Sequence, residues 1–352
     1  MKVTMILRDF SFGGAEHVVY ELVRHIAPSQ ADVTIICCGT KQNNAVSDKV
    51  EAACSIKYLG LASKISLSSI WKVIKALDEI NPDVIHAHMG STGYAAIWSL
   101  VRKKGFVATV HTRPDKAFNK KIEFLLRLRM LLKKSCLVAV SKENALLVKE
   151  YYRLSEGKYT SVNNGIDLSK FYSAFHEPFT YINVARQDDN KNQRMLLKSF
   201  AKVKRQCKDT RLILVGNGPL HETLKNDAKD MGIADSVWFT GNVSDVENYY
   251  AQSDAFVLCS YREAMPLSVL EAMAAGLPII SSRVGGLVDV VQNNGILLEE
   301  NSEECLTQAM INIYDNRFMR KQWQQASQTI VQRFSAQEMA EQYLRIYRQL
   351  MR

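Results

Sequence analysis

Two carboxylates stand eight positions apart in the stretch REAMPLSVLEAMAAGLPIIS, residues 262–281. Glu263 precedes Pro266, and Glu271 lies in an apolar run whose spacing predicts a helix with Pro266 in its first turn and Gly276 just beyond its end. Eight residues of helix rise about 12 Å, whereas paired glycosidase carboxylates lie roughly 5–9.5 Å apart. We therefore expect the two carboxylates to accept hydrogen bonds from hydroxyls at separate ends of an extended ligand. The alternative is that both are ordinary surface glutamates.

Cations and glycines follow two predicted strands in the second half of the chain. Arg186 and Lys191 lie in INVARQDDNKNQ, where two cations at the end of a strand could clamp a diphosphate. Gly216 and Gly218 follow the apolar run of LILVGNGPL and would let the backbone approach a planar base or a ribose. Solvated charges and an ordinary turn are the respective alternatives.

A glycine pair, Gly13 and Gly14, opens a predicted helix in FSFGGAEHVVYELV. Backbone amides and the positive end of the helix dipole can receive an anion at such a place. The alternative is a tight turn without a ligand. The pattern is not G-x-G-x-x-G, so a dinucleotide site is not expected.

Three histidines end two predicted strands. His86 and His88 lie on the same side of the strand in DVIHAH, and His111 ends the strand in FVATVHT. His111 is the better candidate for a polar group in an active site. No third ligand is positioned beside the H-x-H pair and no D-x-D triplet occurs, so we expect no metal.

Short β-branched runs alternate with longer amphipathic stretches, which predicts an α/β protein with parallel sheets. The alternation restarts near residue 179, and the aperiodic segment 172–179 is the predicted linker. We expect two tandem Rossmann-like, doubly wound domains, 1–172 and 179–335, with a ligand where the carboxyl ends of their sheets face each other across a cleft. Residues 336–351 predict a long amphipathic helix.

The uneven distribution of charge along the chain indicates the kind of partner that the protein binds. Residues 1–176 carry 25 Lys/Arg against 15 Asp/Glu, whereas residues 177–352 carry 20 against 21. The basic first half predicts an anionic surface as its partner. Within it, FNKKIEFLLRLRMLLKK (118–134) could lie on an anionic membrane, the alternative being a packed helix with a basic solvent face.

The seven cysteines form no C-x-x-C, which favours reduced thiols in the cytoplasm. No apolar run is long enough for a signal peptide or a membrane span, so we expect a cytoplasmic protein. Nucleic-acid binding is not expected, because aromatic interleaving and a recognition motif are missing.

Taken together, these motifs resemble glycosyltransferase family 4, the retaining enzymes with the two-domain GT-B fold. The resemblance rests on motifs that run in order along nearly the whole chain: FGGAE, VATVHT, SVNNGID, ARQDDNK, VGNGP, VWFTGNV, and E-x7-E followed by VGG. Each motif alone is weak, and their order and spacing make the match specific.

The resemblance implies a role for each candidate residue. Arg186 and Lys191 would neutralise the donor diphosphate, Glu271 would accept from the ribose hydroxyls, and Glu263 would contact the donor sugar. His111 would lie beside the transferred sugar, and residues 336–352 would cross back onto the first domain. The remaining residues implied in donor binding are Gly13, Gly14, Gly216, Gly218, Leu267 and Ser268.

One departure from the family pattern bears on the substrate. The commoner motif has glycines after the first glutamate, where this chain has Ala264 and Pro266. The E-A-M-P-L-S form resembles enzymes of bacterial capsule, O-antigen and lipopolysaccharide-core synthesis. It implies transfer of a hexose from a nucleotide sugar, expected to be a UDP-sugar, to a lipid-linked saccharide at the inner face of the cytoplasmic membrane, without a metal. A nucleotide-sugar epimerase and a non-catalytic saccharide-binding protein of the same fold are the alternatives.

Overall fold

A computed structural model describes residues 1–10, 14–26, 29–42, 45–62, 66–172 and 177–352. The chain divides into two compact units, Met1–Ile166 with Ala336–Arg352, and Asp167–Ser335. The sequence predicts a linker at 172–179, whereas the structure divides the chain between Ile166 and Asp167. The short segment after Ile166 goes with the second unit, where the ring of Phe171 meets that of Tyr250 edge-on at 5.8 Å.

In its described residues, the first unit is built on seven parallel strands. They are β1 (Lys2–Leu7), β2 (Asp32–Cys37), β3 (Ser55–Tyr58), β4 (Val84–His88), β5 (Gly105–Val110), β6 (Ser135–Ala139) and β7 (Tyr159–Ser161). The helices between them are α1 (Gly14–His25), α2 (Ala45–Ala53), α3 (Leu67–Ile80), α4 (Thr92–Arg102), α5 (Pro114–Ala117), α6 (Lys120–Leu131) and α7 (Lys142–Tyr152). The sheet order is β3-β2-β1-β4-β5-β6-β7. Every residue of β4, β5 and β6 is buried, as expected for parallel strands covered on both faces.

The part of the second unit that the structure describes contains six parallel strands. They are β8 (Phe179–Val184), β9 (Thr210–Val215), β10 (Val237–Gly241), β11 (Ala255–Leu258), β12 (Ile279–Ser282) and β13 (Gly295–Leu298), in the sheet order β10-β9-β8-β11-β12-β13. Its helices are α8 (Gln193–Gln206), α9 (His221–Asp230), α10 (Val246–Ala251), α11 (Leu267–Ala274), α12 (Leu287–Val290), α13 (Glu303–Asp315) and α14 (Arg317–Ile330).

The last helix, α15 (Ala336–Met351), belongs to the first unit. It packs against α1 and β5 and buries Tyr343 and Tyr347 almost completely. The spacing of its buried residues follows the amphipathic pattern seen in the sequence.

Both sheets reverse their strand order at one place, between β1 and β4 in the first unit and between β8 and β11 in the second. Ligands of doubly wound sheets bind outside the carboxyl ends of the strands at such a switch point. The predicted α/β class with two parallel sheets is confirmed. Two strands escaped prediction, β3 and β13, and both are four-residue strands at the edge of a sheet.

Candidate active site

The switch point of the second unit is bridged by a short ion pair. Lys191 follows β8 and Glu263 follows β11, and the Lys191 Nζ lies 2.5 Å from the Glu263 Oε1. Their side chains are 18 % and 9 % exposed. The fold thus joins two residues that lie 72 positions apart in the sequence, a contact that their spacing did not predict.

Backbone and side-chain hydrogen bonds fix the two loops that carry this pair. The carboxylate of Asp188 accepts from the Lys191 amide at 3.3 Å and so caps the short turn on which Lys191 lies. Asn190 connects the loops twice, because its side chain donates to the Arg262 carbonyl at 3.0 Å and its carbonyl accepts from the Tyr261 amide at 2.8 Å. The position of Lys191 is therefore set before any ligand arrives.

Arg186 lies on the same loop with a different environment. Its side chain is 72 % exposed, and the Nε lies 3.8 Å from the Asp188 Oδ2. Its carbonyl accepts from the Gln193 side chain at 3.0 Å, which ties the loop to the start of α8. The structure therefore anchors the backbone of Arg186 and leaves its guanidinium largely in solvent.

Glu271 is buried in α11 and has a partner that sequence reasoning missed. The hydroxyl of Tyr250 lies 2.9 Å from the Glu271 Oε2 and 3.0 Å from the Ser268 carbonyl. Burial, followed by the nearby Glu271 charge, raises the pKa of Tyr250 well above its ordinary value of 10, so the phenol keeps its proton and donates. Tyr250 therefore orients Glu271. No sequence spacing indicated it, since Tyr250 precedes the helix by a whole βα connection.

The ends of α11 differ slightly from the expectation. The helix begins at Leu267, and Pro266 is the extended residue just before it, with φ −72° and ψ 127°, instead of part of the first turn. Leu267 and Ser268, the other two predicted donor-binding residues, form the partly exposed first turn. At the other end Gly276, with φ +76°, terminates the helix as predicted.

The glycines of the second unit are required by its own packing. A Cβ on Gly216 would lie 2.3 Å from the Ala185 carbonyl oxygen, and one on Gly218 would lie 2.3 Å from that of Gln187. These glycines thus let the turn after β9 approach the segment that carries Arg186. The interpretation from the sequence, that these glycines let the backbone approach a base or a ribose of the ligand, is a separate hypothesis.

A second glycine pair supports Glu263 in the same way. A Cβ on Gly285, whose φ is +52°, would lie 1.8 Å from the Glu263 carbonyl oxygen. On Gly286 it would lie 2.2 Å from the Ala264 oxygen, to which the Gly286 amide donates at 2.9 Å. The VGG sequence after E-x7-E is therefore the support of the loop that carries Glu263.

Gln187 is a further residue that the sequence did not single out. It is 1 % exposed. Its side chain donates to the Gly216 carbonyl at 3.0 Å, and its Oε1 lies 2.7 Å from the His221 Nδ1. The side chain thus links the loops after β8 and β9. A polar loop residue beside Arg186 gives no signal of such burial.

The first unit brings the three strand-end histidines together. The Nδ1 of His86 lies 2.7 Å from the Tyr347 hydroxyl, and its Nε2 lies 2.7 Å from the Thr109 hydroxyl. The ring of His88 lies 4.1 Å from that of His86, and the His88 Nδ1 lies 3.0 Å from the His111 Nε2. His111 directly follows β5 and is partly exposed.

Burial keeps these three imidazoles neutral. It lowers the pKa of His86 to about 3, that of His111 to about 4 and that of His88 well below the ordinary 6.5, with neighbouring imidazoles adding to the effect at His86 and His88. Within the described ranges, no group of three His, Cys, Asp or Glu side chains is placed to hold a metal ion.

The glycine pair of the first unit is described only in part. Gly13 lies outside the described residues, and Gly14 is the first residue of α1. The predicted anion site there stays a prediction.

A groove of about 800 Å³ opens at the carboxyl ends of β1, β2 and β4 in the first unit. Its lining combines polar and charged groups, including Arg8, Asp9 and Ser91, with apolar side chains of α3 and α6, among them Ile70 and Ile122. The groove therefore offers polar groups beside an apolar surface.

The basic segment 118–134 contains α6 (Lys120–Leu131) and is only partly a basic solvent face. Arg129 is 1 % exposed and donates to Ser99 and to the carbonyls of Lys104, Lys133 and Lys134, and burial lowers its pKa to about 10. Apart from Asn119, the exposed residues of the segment are bases and large apolar side chains: Lys120, Lys121, Phe124, Arg127, Leu128, Leu131, Leu132, Lys133 and Lys134. In the described residues, no helix is long and apolar enough to cross a membrane.

Two family models match the chain. The model described as "Glycosyltransferase Family 4" matches residues 12–170, and "Glycosyl transferases group 1" matches residues 167–329. This chain belongs to glycosyltransferase family 4. The resemblance predicted from the sequence motifs is therefore confirmed, and this family 4 protein is a glycosyltransferase.

Relatives and solved structures agree with that assignment. The chain is 25% identical over 337 residues, covering 87% of itself and 86% of the relative, to the Escherichia coli UDP-Gal:α-D-GlcNAc-diphosphoundecaprenol α-1,3-galactosyltransferase. It is 24% identical, with 98% of both chains covered, to a Campylobacter jejuni α-1,4-N-acetyl-D-galactosaminyltransferase whose name gives an undecaprenol-linked acceptor. The crystal structure of Anabaena HepE in complex with UDP matches with a TM-score of 0.83 at 18% identity, covering 97% of this chain and 98% of that one. The likeness shows the GT-B fold.

Proposed function

We propose that this glycosyltransferase moves a hexose from a UDP-sugar to a lipid-linked saccharide with retention of configuration. The observation that carries the proposal is the Lys191–Glu263 pair, which joins the two loops at the switch point of the second sheet. A cation held there by a carboxylate is positioned for an anionic ligand at the place where doubly wound sheets bind theirs. The E. coli relative is named for a UDP-galactose donor.

We propose the following contacts to the donor. Lys191 and the solvent-directed Arg186 supply two positive charges for the diphosphate, which stabilises the leaving group as its charge develops. Glu271, oriented by Tyr250, would accept from the ribose hydroxyls. Glu263 would share its carboxylate between Lys191 and the sugar. The amides of Leu267 and Ser268 begin α11, where the helix dipole favours a phosphate.

Retention is proposed to proceed by attack of the acceptor on the face from which the diphosphate leaves. The departing phosphate would take the acceptor proton, so no separate side-chain base is needed. The two glutamates fit this proposal because they have different partners, Lys191 for Glu263 and Tyr250 for Glu271. An epimerase would instead need an acid and a base at one carbon.

The proposed acceptor site is the groove of the first unit. The polar groups of its lining suit a saccharide, and the apolar side chains from α3 and α6 suit the adjoining part of a lipid carrier. Both named relatives carry undecaprenol in the description of their acceptors. We therefore propose a polyprenyl diphosphate-linked saccharide as the acceptor class.

A donor panel tests the proposed reaction. Nucleotide release and product formation are measured with UDP-glucose, UDP-galactose, UDP-N-acetylhexosamines and GDP-mannose, each with a short-chain prenyl diphosphate saccharide. We expect transfer from one UDP-sugar, an α-linked product by NMR, and unchanged rates in EDTA. Preference for GDP-mannose would reject the UDP donor, and a β-linked product would reject retention.

Substitution of the proposed donor contacts tests the site. We expect Lys191→Ala and Glu271→Ala each to lower kcat/KM by at least about 100-fold, since each removes a charged contact to the donor. Lys202→Ala is the matched control, because Lys202 forms a 2.8 Å ion pair with Glu303 on the surface of the same unit. Near-normal turnover in both purified site variants would reject the assignment.

We also propose that α6 contacts an anionic membrane surface at the inner face of the cytoplasmic membrane. Lys120, Lys121 and Lys133 are exposed beside Phe124, Leu128 and Leu131, a mixture typical of interfacial helices. Replacing the three lysines by glutamine should weaken binding to anionic vesicles by roughly 10–100-fold.

The control for this vesicle experiment carries the same charge change on the second unit, at the exposed Lys198, Lys208 and Lys229. Equal weakening by both sets, or equal binding to neutral vesicles, would show that α6 is not the contact.

A further inference from the structure

The imidazole ring of His86 is held in place and supports the catalytic candidate His111 through His88. Both ring nitrogens of His86 are held at 2.7 Å, by Tyr347 from α15 and by Thr109 from β5. The Thr109 hydroxyl is itself 2.8 Å from the Tyr343 hydroxyl. The His86 ring therefore cannot turn without breaking two buried hydrogen bonds.

His88 is placed between this fixed ring and His111. It is 1 % exposed and packs against the His86 ring at a centroid distance of 4.1 Å. Its Nδ1 faces the His111 Nε2 at 3.0 Å, within hydrogen-bond distance. Because both imidazoles are neutral, one of these two nitrogens carries the proton and the other accepts.

The surroundings of the other ring nitrogen of His88, Nε2, decide whether His88 Nδ1 or His111 Nε2 carries the proton. The His88 Nε2 is buried and has no hydrogen-bond partner among the described residues. If the His111 Nε2 donated, His88 would carry its own proton on this unpartnered Nε2 and leave a buried N–H orphaned. If the His88 Nδ1 donates, only a lone pair is left unpaired. Orphaned buried N–H groups are rarer in proteins than unpaired acceptors.

We propose that His88 is a positioning residue that donates from Nδ1 to His111 and holds His111 as the Nδ1–H tautomer. His111 then presents an N–H donor at Nδ1, while its lone pair on Nε2 is occupied. On the proposed function, on which this inference rests, His111 donates a hydrogen bond to an oxygen of the transferred sugar and does not serve as a proton acceptor.

Nitrogen NMR of the full-length protein tests the tautomer directly. Uniformly ¹⁵N-labelled protein at pH 7 shows, for each histidine, which ring nitrogen is protonated, and the His111 signals are assigned by their loss in His111→Ala. We expect a protonated Nδ1 and a bare Nε2 for His111 in the unsubstituted protein. A protonated Nε2 on His111 would overturn the proposal without any variant or any activity.

A pair of His88 variants links the tautomer to turnover. His88→Phe keeps a ring against His86 and removes the donor, whereas the side-chain amide of His88→Asn stands near the position of Nδ1 and can donate. We expect His88→Phe to lower kcat by about 10–100-fold, to leave the donor KM within about threefold and to release His111 from the Nδ1–H tautomer. His88→Asn should restore both the tautomer and most of kcat.

Tyr347→Phe separates orientation from stability, because it removes one bond to His86 and leaves the His88–His111 pair in place. It should lower the melting temperature with the His111 tautomer unchanged. If His88→Phe retains the tautomer and its kcat, His88 has no positioning role. If the protein transfers a sugar from none of the donors, the proposed function fails, and the NMR result still tests the role of His88. The failure of the proposed function and the failure of the His88 inference are therefore distinguishable.

Discussion

Gly285→Ala is the sharpest test of how the second unit holds Glu263. Two costs follow from the substitution. The left-handed backbone, φ +52°, costs an alanine about 1–2 kcal/mol. The new Cβ would also lie 1.8 Å from the Glu263 carbonyl oxygen, whereas real Cβ contacts are essentially never below 3.0 Å, so the Glu263 loop must move by at least the difference, about 1.2 Å.

That displacement predicts a specific loss of activity. A misplacement of about 1 Å in a catalytic group costs on the order of 100-fold in rate, and the shift carries Glu263 and its partner Lys191 together. The assay is kcat and donor KM by nucleotide release, combined with urea unfolding of the same preparation. We expect kcat to fall by about 100-fold at a temperature where the variant is fully folded.

Gly232→Ala is the matched control, because it introduces the same backbone strain without a steric clash. Gly232 has φ +70° in the same unit, and no heavy atom lies within 4 Å of its added Cβ. It should lose about 1–2 kcal/mol of stability with kcat unchanged. If Gly285→Ala behaves like Gly232→Ala in both measurements, the clash does not reach Glu263 and the reasoning is refuted.

Three further predictions follow from buried groups. Tyr250→Phe removes the hydroxyl that orients Glu271, so the donor KM should rise about tenfold, the equivalent of about 1.4 kcal/mol; an unchanged KM would contradict that role. The pKa of His86 is lowered from 6.5 to about 3, so the folded state resists its protonation, and its contribution to stability is full above pH 6.5 and lost as pH falls towards 3. Because the pKa values of His88 and His111 are lowered as well, both the unsubstituted protein and His86→Gln should lose stability between pH 7 and pH 4.5, but the loss measured by urea unfolding should be smaller in His86→Gln by on the order of 2–3 kcal/mol. An equal loss in the two proteins would refute the prediction. Arg129→Met leaves three carbonyls without their donor and should cost about 2–4 kcal/mol of unfolding free energy, whereas a loss below about 0.5 kcal/mol would show that those carbonyls find other partners.

Several features of the site were predictable because their signals are local. The strands β8 and β11 and the helix α11 follow from apolar runs bounded by glycine and proline. The positions of Arg186 and Lys191 after β8 follow from the same pattern. Burial of Glu271 followed from its place among apolar residues at helical spacing.

The partners of these residues were not predictable in the same way. Lys191 meets Glu263 across 72 positions, and His86 meets Tyr347 across 261. Periodicity reports which face of an element is buried and carries no information on which distant side chain lies opposite. The two missed edge strands, β3 and β13, are mostly only partly buried, whereas the equally short β11 is fully buried and shows a continuous apolar run.

The sequence by itself determined the α/β alternation, the family motifs and the candidate residues, since each depends on residues that lie close together in the sequence. Only the tertiary structure decided how they are paired: Lys191 with Glu263, Glu271 with Tyr250, and His111 with His88. It also decided that Gly216 and Gly285 admit the protein's own backbone. The physical reason is that sheet order brings loops of distant strands to one edge, and hydrogen bonds and steric contacts there depend on distances of a few tenths of an ångström that no local pattern encodes.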